Sequence, residues 1–543
     1  MTRFTRDRRK VGIVKNWGVS AQRLIPPMQG TALWGWIGPI AVALFGGILR
    51  FVRLSEPRAI VFDETYYIKD AYSLLRYAVE RVTLGDAKNP IADKRLIAGD
   101  LDIFKQCPQQ TDCASFVAHP PLGKWMIGAG EWLFGMNPFG WRFAAALAGT
   151  LSILILARVA RRMTRSTLLG CFGGLLLALD GLHLVLSRTA LLDIFLMFWV
   201  LAGFACLVAD RDRARRRLAD WYETSPLTMT GPRLGARPWR IAAGMCLGAA
   251  MAVKWSGLFF LVAFAVMSLV WDMGARRAVG LRSPYRGTFA LDAPPWLAAM
   301  GLAPAATFLV SWTGWFVSAD GWGRNWDQAT SSGPLFFVID SARSWLKYQM
   351  EVLGYHTGLQ EYHPYMSEPW TWPILYRPVS FFYPGDLPGA ACGAKECSQA
   401  VLGVGTPAIW FAAALSLFGL IAWYVATRDW RAGAVLLTYA AGWLPWFYYA
   451  IADNRTMYLF YMIPIVPFMV LSLVLVAGLV LGKENAPPVR RAAGGAAVGA
   501  FALITLINFW WLYPVLTAEV ITQAQWWARM LIRSWAESAP KAK

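Results

Sequence analysis

The chain has 543 residues, of which 57% are hydrophobic and only 16% charged, with a net charge of +19. Charge-poor runs of bilayer length recur from end to end, which excludes a string of soluble domains. The surplus of Lys and Arg collects in short loops between those runs, the distribution of a membrane protein with basic inner loops, and this argues against nucleic acid as a partner.

Taken in order, residues 1–30 form a basic tail with Arg3, Arg6, Arg8, Arg9, Lys10 and Lys15, which predicts a cytoplasmic N-terminus. The first apolar run, 31–54, starts too late and is too long for a cleaved leader, so it reads as a membrane helix. A long outer loop, 55–136, follows. Within it, Glu64–Glu80 and Leu122–Phe134 have mixed faces suited to interfacial helices. Further spans are predicted at 138–160, 167–186, 190–209, 240–253, 257–271 and 295–316. The fourth ends in Arg211, Arg213, Arg215, Arg216 and Arg217, the strongest topological anchor in the chain. The fifth is short and is expected to be covered by protein. A second outer loop, 317–403, is rich in Trp, Tyr and Pro. Spans at 407–427, 432–451, 457–481 and 492–511 then leave the C-terminus outside. The expectation is an all-α polytopic membrane protein of about eleven transmembrane helices. Its parts are the tail 1–30, a helical module 31–316 that includes loop 55–136, the loop 317–403, helices within 404–512 and an external tail 513–543.

Cysteine positions give the same sidedness. Cys107 and Cys113 lie in the first outer loop, and Cys392 and Cys397 in the second. Four loop cysteines on one side predict an oxidising compartment and two short disulfides. Cys171, Cys206 and Cys246 fall inside spans as thiols, and neither loop pair has a His at zinc-ligand spacing.

The adjacent carboxylates Asp63 and Glu64 open the first outer loop. One could take a proton from a hydroxyl while the other orients it or holds a metal; alternatively the pair caps a helix. In His119-Pro120-Pro121-Leu122-Gly123-Lys124, two prolines fix the chain before a helix start, so His119 or Lys124 could hold an anion or position an acceptor. Arg142 sits inside the outer end of the second span and must be paired or line a cavity; its planar fork suits phosphate. Arg188, Lys254 and Arg455 also sit at outer ends of spans, and Asp193 is expected to pair with Arg188. Asp180 and His183 either line the same cavity or bridge helices.

Phe62-Asp63-Glu64, the His119–Lys124 run, Arg142, Leu192-Asp193 and Val253-Lys254-Trp255-Ser256-Gly257-Leu258 occur in the order seen in the protein O-mannosyltransferases, and the chain resembles that family. Pro369-Trp370-Thr371-Trp372-Pro373 with Arg377-Pro378-Val379-Ser380 is similar to the short outer loop of the bacterial, actinobacterial-type members. The second outer loop is too short for the β-trefoil domain of the eukaryotic members.

The resemblance implies a GT-C glycosyltransferase fold of family 39, with 31–316 as the catalytic module. It implies transfer of mannose from polyprenyl-phosphate mannose, with inversion, to Ser or Thr hydroxyls of exported proteins. On this reading Asp63 is the base with Glu64 beside it. Arg142 and Lys254 hold the donor phosphate with Arg188 and Arg455, and His119, Lys124 and Asp193 position donor or acceptor. No cofactor is required, although a divalent cation fits the scheme. The expected location is the plasma membrane, with the active site on the extracytoplasmic face and the translocon as an additional partner. The alternatives are a sister enzyme acting on a glycolipid and a proton-coupled transporter using Asp63 and Glu64, whose carboxylates should then lie near mid-bilayer.

Overall fold

The computed structural model describes residues 24–537 except 87, 109, 226–227, 327–335, 386 and 483–484. The basic residues of the N-terminal tail and Lys483 lie outside the described residues.

The first span is α1 (Trp34–Phe51). Three helices of the first loop follow: α2 (Glu64–Tyr77), α3 (Ile91–Ile97) and α4 (Leu122–Phe134). Next comes α5 (Pro138–Thr164), with Asn137 capping Phe139 N and Gly140 N and Pro138 in the first turn, where its missing N–H costs nothing. The predicted third span is broken into α6 (Thr167–Ala178) and α7 (Gly181–Leu186). The break falls at Asp180, whose carboxylate leaves the helical path to accept from His183 N and so starts a new helix. Asp180 also accepts from Trp410 Nε1, and His183 contacts Arg50, so both bridge helices and neither lines the cavity described below.

The long α8 (Leu192–Thr224) is followed by α9 (Pro238–Val253), α10 (Gly257–Ala278) and α11 (Pro284–Ser311). The short α9 is covered on two sides, by α8 and α11. A Cβ on Gly244 would lie 1.8 Å from Ala299 O, and one on Gly248 2.5 Å from Pro304 O, so only glycine lets α9 and α11 meet backbone to backbone. Span seven was predicted at 295–316 but its helix begins at Pro284. Pro294, Pro295 and Pro304 lack the donors a regular helix needs, and the chain answers with π turns at Thr288–Asp292 and Ala298–Leu302.

The second loop contains α12 (Phe336–Gly358) and two small antiparallel sheets. β1 (Val379–Phe382) pairs with β4 (Val401–Gly403); β2 (Leu387–Pro388) pairs with β3 (Glu396–Ser398). The last spans are α13 (Pro407–Thr427), α14 (Trp430–Ala452), α15 (Leu459–Leu481) and α16 (Pro488–Leu516). Among the described residues nine helices are long and apolar enough to cross a membrane, and α6 and α9 are shorter apolar helices. α15 and α8 are the most buried of the nine, at 78% and 72% of their apolar windows, and form the centre of the bundle; α16, at 17%, lies on its perimeter.

The C-terminal segment is folded against the second loop. β5 (Ile521–Thr522) pairs with β3, and Trp535 Nε1 donates to Leu375 O at 2.7 Å. Cys107 is bonded to Cys113 and Cys392 to Cys397, both outside the bundle.

Candidate active site

Phe62 takes a left-handed backbone (φ 50°), a strained conformation for a bulky residue. Its ring is held among Phe381, Tyr458, Phe460 and His363 at centroid distances of 5.0–6.2 Å. The cage fixes the turn that starts α2 and directs Asp63 and Glu64 to opposite fates. Asp63 is half-buried and lines a cavity of about 480 Å³. Burial pushes its carboxyl up to about 6, while the Lys254 ammonium pulls the other way.

Glu64 is fully buried elsewhere. It accepts from Arg142 Nε (2.8 Å) and Nη2 (2.9 Å), from Val61 N (2.8 Å) and from Ala190 N (2.9 Å). Arg142 spends its remaining donors on the carbonyls of Leu54, Pro57 and Ala59. A carboxylate with four donors and an arginine with five acceptors have nothing left for a substrate. The structure therefore corrects two expectations: Glu64 is no catalytic partner of Asp63, and Arg142 holds no phosphate. Together they staple α5 to the start of α2.

Arg188 is corrected in the same way. Its guanidinium donates to the carbonyls of Leu49, Arg50, Val52 and Arg53, the orphan acceptors at the end of α1. Asp193 is thus left for Lys254 instead of Arg188, at 2.8 Å. Lys124 is buried and pairs with Glu80 and, at 3.9 Å, with Asp70, so it contributes to the cavity wall as an already neutralised cation.

The groups brought together are Asp63, His119, Lys254, His356, Arg455 and Tyr461. The last five also line an adjoining lobe of about 240 Å³ whose far wall is Leu258, Phe259, Leu353, Trp446 and Tyr449. Arg455 donates from Nε to His356 O at 2.7 Å. His356 Nε2 faces Ala118 O at 2.9 Å, so the ring donates there and offers Nδ1 to Arg455 Nη2 at 3.4 Å. Burial and Arg455 hold His356 down to about 4, which keeps it neutral; burial and Lys254 hold the neighbouring His119, its ring centroid 5.0 Å away, well below its ordinary value. Three buried polar atoms on this lining lack a partner among the described residues: Arg455 Nη1, His119 Nδ1 and Trp255 Nε1. Unpaired buried donors are costly and mark where a polar ligand belongs.

His356 and Asp70 went unnoticed in the sequence. A signal existed for the first: the chain has only four histidines, and three of them line this cavity. Among the described residues no group of three or more His, Cys, Asp or Glu side chains is placed to hold a metal ion.

The membrane helix bundle, with a carboxylate and cations gathered in one cavity at its end, has the GT-C glycosyltransferase fold. The solved structure of the S. cerevisiae protein O-mannosyltransferase Pmt1-Pmt2 complex bound to the sugar donor superposes with a TM-score of 0.68 at 14% identity, covering 95% of this chain and 94% of that one. Residues 40–300 match the family model for dolichyl-phosphate-mannose-protein mannosyltransferase, and 341–535 that for the C-terminal four-helix membrane region of protein O-mannosyltransferase. The polyprenol-phosphate-mannose–protein mannosyltransferase of Mycolicibacterium smegmatis is 39% identical over 534 residues, 95% of this chain and 96% of that one. Its Corynebacterium glutamicum counterpart is 32% identical over 506 residues, 91% and 92% of the two chains. The chain belongs to the protein O-mannosyltransferase family.

Proposed function

We propose that this chain transfers mannose from polyprenyl-phosphate mannose to Ser or Thr hydroxyls of exported polypeptides. The observation that carries the reading is the meeting, in one cavity, of the carboxylate of Asp63 with the unpartnered Nη1 of Arg455. Asp63 takes the hydroxyl proton as the acceptor oxygen attacks the anomeric carbon. The C–O bond to the carrier breaks, its electron pair leaves with the phosphate, and the configuration inverts. Arg455, with Lys254, faces the developing anion, and His119 and Trp255 offer further contacts. Preorganised charge at the leaving group is the largest part of such catalysis. The apolar lobe beyond Lys254 takes the first isoprene units.

Two fixed cations already serve the phosphate, so the scheme routes no step through a metal. The cavity is assigned to the extracytoplasmic face of the plasma membrane, the side of both disulfides and away from the basic loops. Exported acceptors meet it there, and docking beside the translocon belongs to the same reading. Mass spectrometry of a Ser/Thr-containing peptide incubated with the purified chain and polyprenyl-phosphate mannose tests it: the peptide gains one hexose, and Asp63→Asn abolishes the gain. Transfer to a glycolipid with none to peptide overturns it.

A further inference from the structure

The opposite end of the same helices carries a second polar cavity that the transfer reaction does not use. It measures about 310 Å³ and is lined by Arg162 of α5, Arg213, Arg216 and Arg217 of α8, two aspartates of α8 and Trp239 at the start of α9. Arg213 follows Asp193 by about twenty residues on one helix, roughly 30 Å at 1.5 Å per residue, which is the thickness of the hydrocarbon core. The cavity thus sits in the headgroup layer of the other leaflet.

Its charges are not cancelled from within. Of the two aspartates, Asp212 is neutralised by Arg165 (2.8 Å) and Arg162 (3.3 Å), and Asp220 is exposed. Arg217 is fixed by the carbonyls of Leu234 and Ala236, which hold its head in place while leaving its charge. Arg213 and Arg216 are exposed and form no ion pair among the described residues. A row of arginines that served only to anchor topology needs no concavity and no fixed member.

The mouth has a lipid-facing side. Trp239 is 44% exposed at the start of α9, and Ile241 and Met245, one turn apart on a single face of that helix, are 47% and 52% exposed. An acyl chain along Ile241 and Met245 runs toward the start of α9, where Trp239 lines the cavity at the level where indoles settle. We infer that this cavity is a binding site for the phosphate group of an anionic lipid, seated between Arg213 and Arg216 beside the Arg162–Asp212 pair, with its acyl chains on the exposed face of α9. Arginine forks suit phosphate oxygens, and basic pockets between membrane helices hold such headgroups.

The test is native mass spectrometry of the full chain, delipidated and titrated with phosphatidylglycerol or phosphatidylcholine. Wild type retains phosphatidylglycerol in preference to phosphatidylcholine, and the double variant Arg213→Gln/Arg216→Gln retains it at least about tenfold more weakly. Arg282→Gln/Arg286→Gln removes the same charge from exposed positions elsewhere on that face and leaves retention unchanged. All four positions are exposed, so both variants keep the wild-type elution profile in size exclusion. Equal losses in the two double variants reduce the effect to diffuse surface charge and overturn the site. Displacement of the lipid by millimolar inorganic phosphate assigns the cavity to a soluble phosphate and overturns the lipid assignment.

Discussion

In the proposed mechanism Asp63 serves as a base only while ionised, and its surroundings work against that. Burial lifts its carboxyl to about 6, which strengthens it as a proton acceptor and also sets an acid limit. The sign is fixed by chemistry: protonated Asp63 cannot accept the hydroxyl proton. Transfer is therefore flat above about pH 6 and falls roughly tenfold per pH unit below it, and Asp63→Asn costs about 10²–10⁴ in rate at neutral pH with donor binding retained. A pH–rate profile together with donor-analogue binding checks both; a rate independent of pH down to 4 would falsify the base assignment. Arg455→Gln removes the unpartnered Nη1 and weakens donor binding about tenfold or more, since hydrogen bonds to charged groups contribute about 1.5–3 kcal/mol. Arg142→Ala behaves differently. It strands Glu64 fully buried without its cation, which costs about 3–5 kcal/mol, so thermal stability in detergent drops before any donor-specific defect appears. That Asp63, Lys254 and Arg455 gather at one cavity was legible in the sequence, because charged residues near outer ends of spans must face water, a ligand or each other. Which of them pair was not legible. Arg142 meets Glu64 across 78 residues, and Arg188 meets the end of α1 across 135 or more. Spacing carries no information on such distant partners.

At the scale of elements, hydropathy locates the membrane helices because it reports the solvent each segment faces. It fails where backbone hydrogen bonding decides the path. Asp180 interrupts span three by capping α7, and the prolines of α11 shift its start to Pro284 and open two π turns. The contact between α9 and α11 is equally invisible to hydropathy, since Gly244 and Gly248 matter only for what they lack. Replacing Gly248 by Ala places a methyl carbon 2.5–2.6 Å from Pro304 backbone atoms, which cannot yield as a side chain tip would. The helices must separate, at a cost of about 1–3 kcal/mol. Because Lys254 directly follows α9, the same change moves the cation that the proposed mechanism sets against the phosphate. Gly248→Ala is therefore expected to lower the unfolding temperature in detergent and to weaken donor binding, whereas Gly274→Ala, which meets nothing within 4 Å, alters neither.

Across the whole molecule, one end of the bundle is assembled from segments far apart in the chain. The first loop supplies Asp63 and His119, the second supplies His356, and Lys254 and Arg455 come from turns between membrane helices. The second loop is in turn fastened by the C-terminus, through the β3–β5 pair and Trp535. From its sequence, 513–543 reads as a plain tail, because a two-residue strand and a single anchoring indole leave no periodic pattern. Yet these contacts place the C-terminal segment on the same side as the cavity and both disulfides. A probe attached just beyond Glu537 must then be accessible from the same side as Cys392 and Cys397 after reduction. In the orientation proposed above that side is extracytoplasmic, so a membrane-impermeant maleimide is expected to label a cysteine placed there in intact cells. Truncation after Ala518 removes β5, α17 (Gln523–Arg529) and the Trp535 anchor while leaving every membrane helix in place. It frees Ser398 and Leu375 from their C-terminal partners, so hydrogen exchange should rise across β2, β3 and the segment leading into β1, with little change in the bundle. Phe381 lies in β1, just beyond the segment that Trp535 anchors at Leu375, and its ring cages Phe62, so the loosening reaches the turn that aims Asp63. The truncated chain is therefore expected to bind donor nearly as well as wild type but to transfer more slowly. Exchange confined to the segment next to the truncation, with an unchanged rate, would separate the C-terminus from the site.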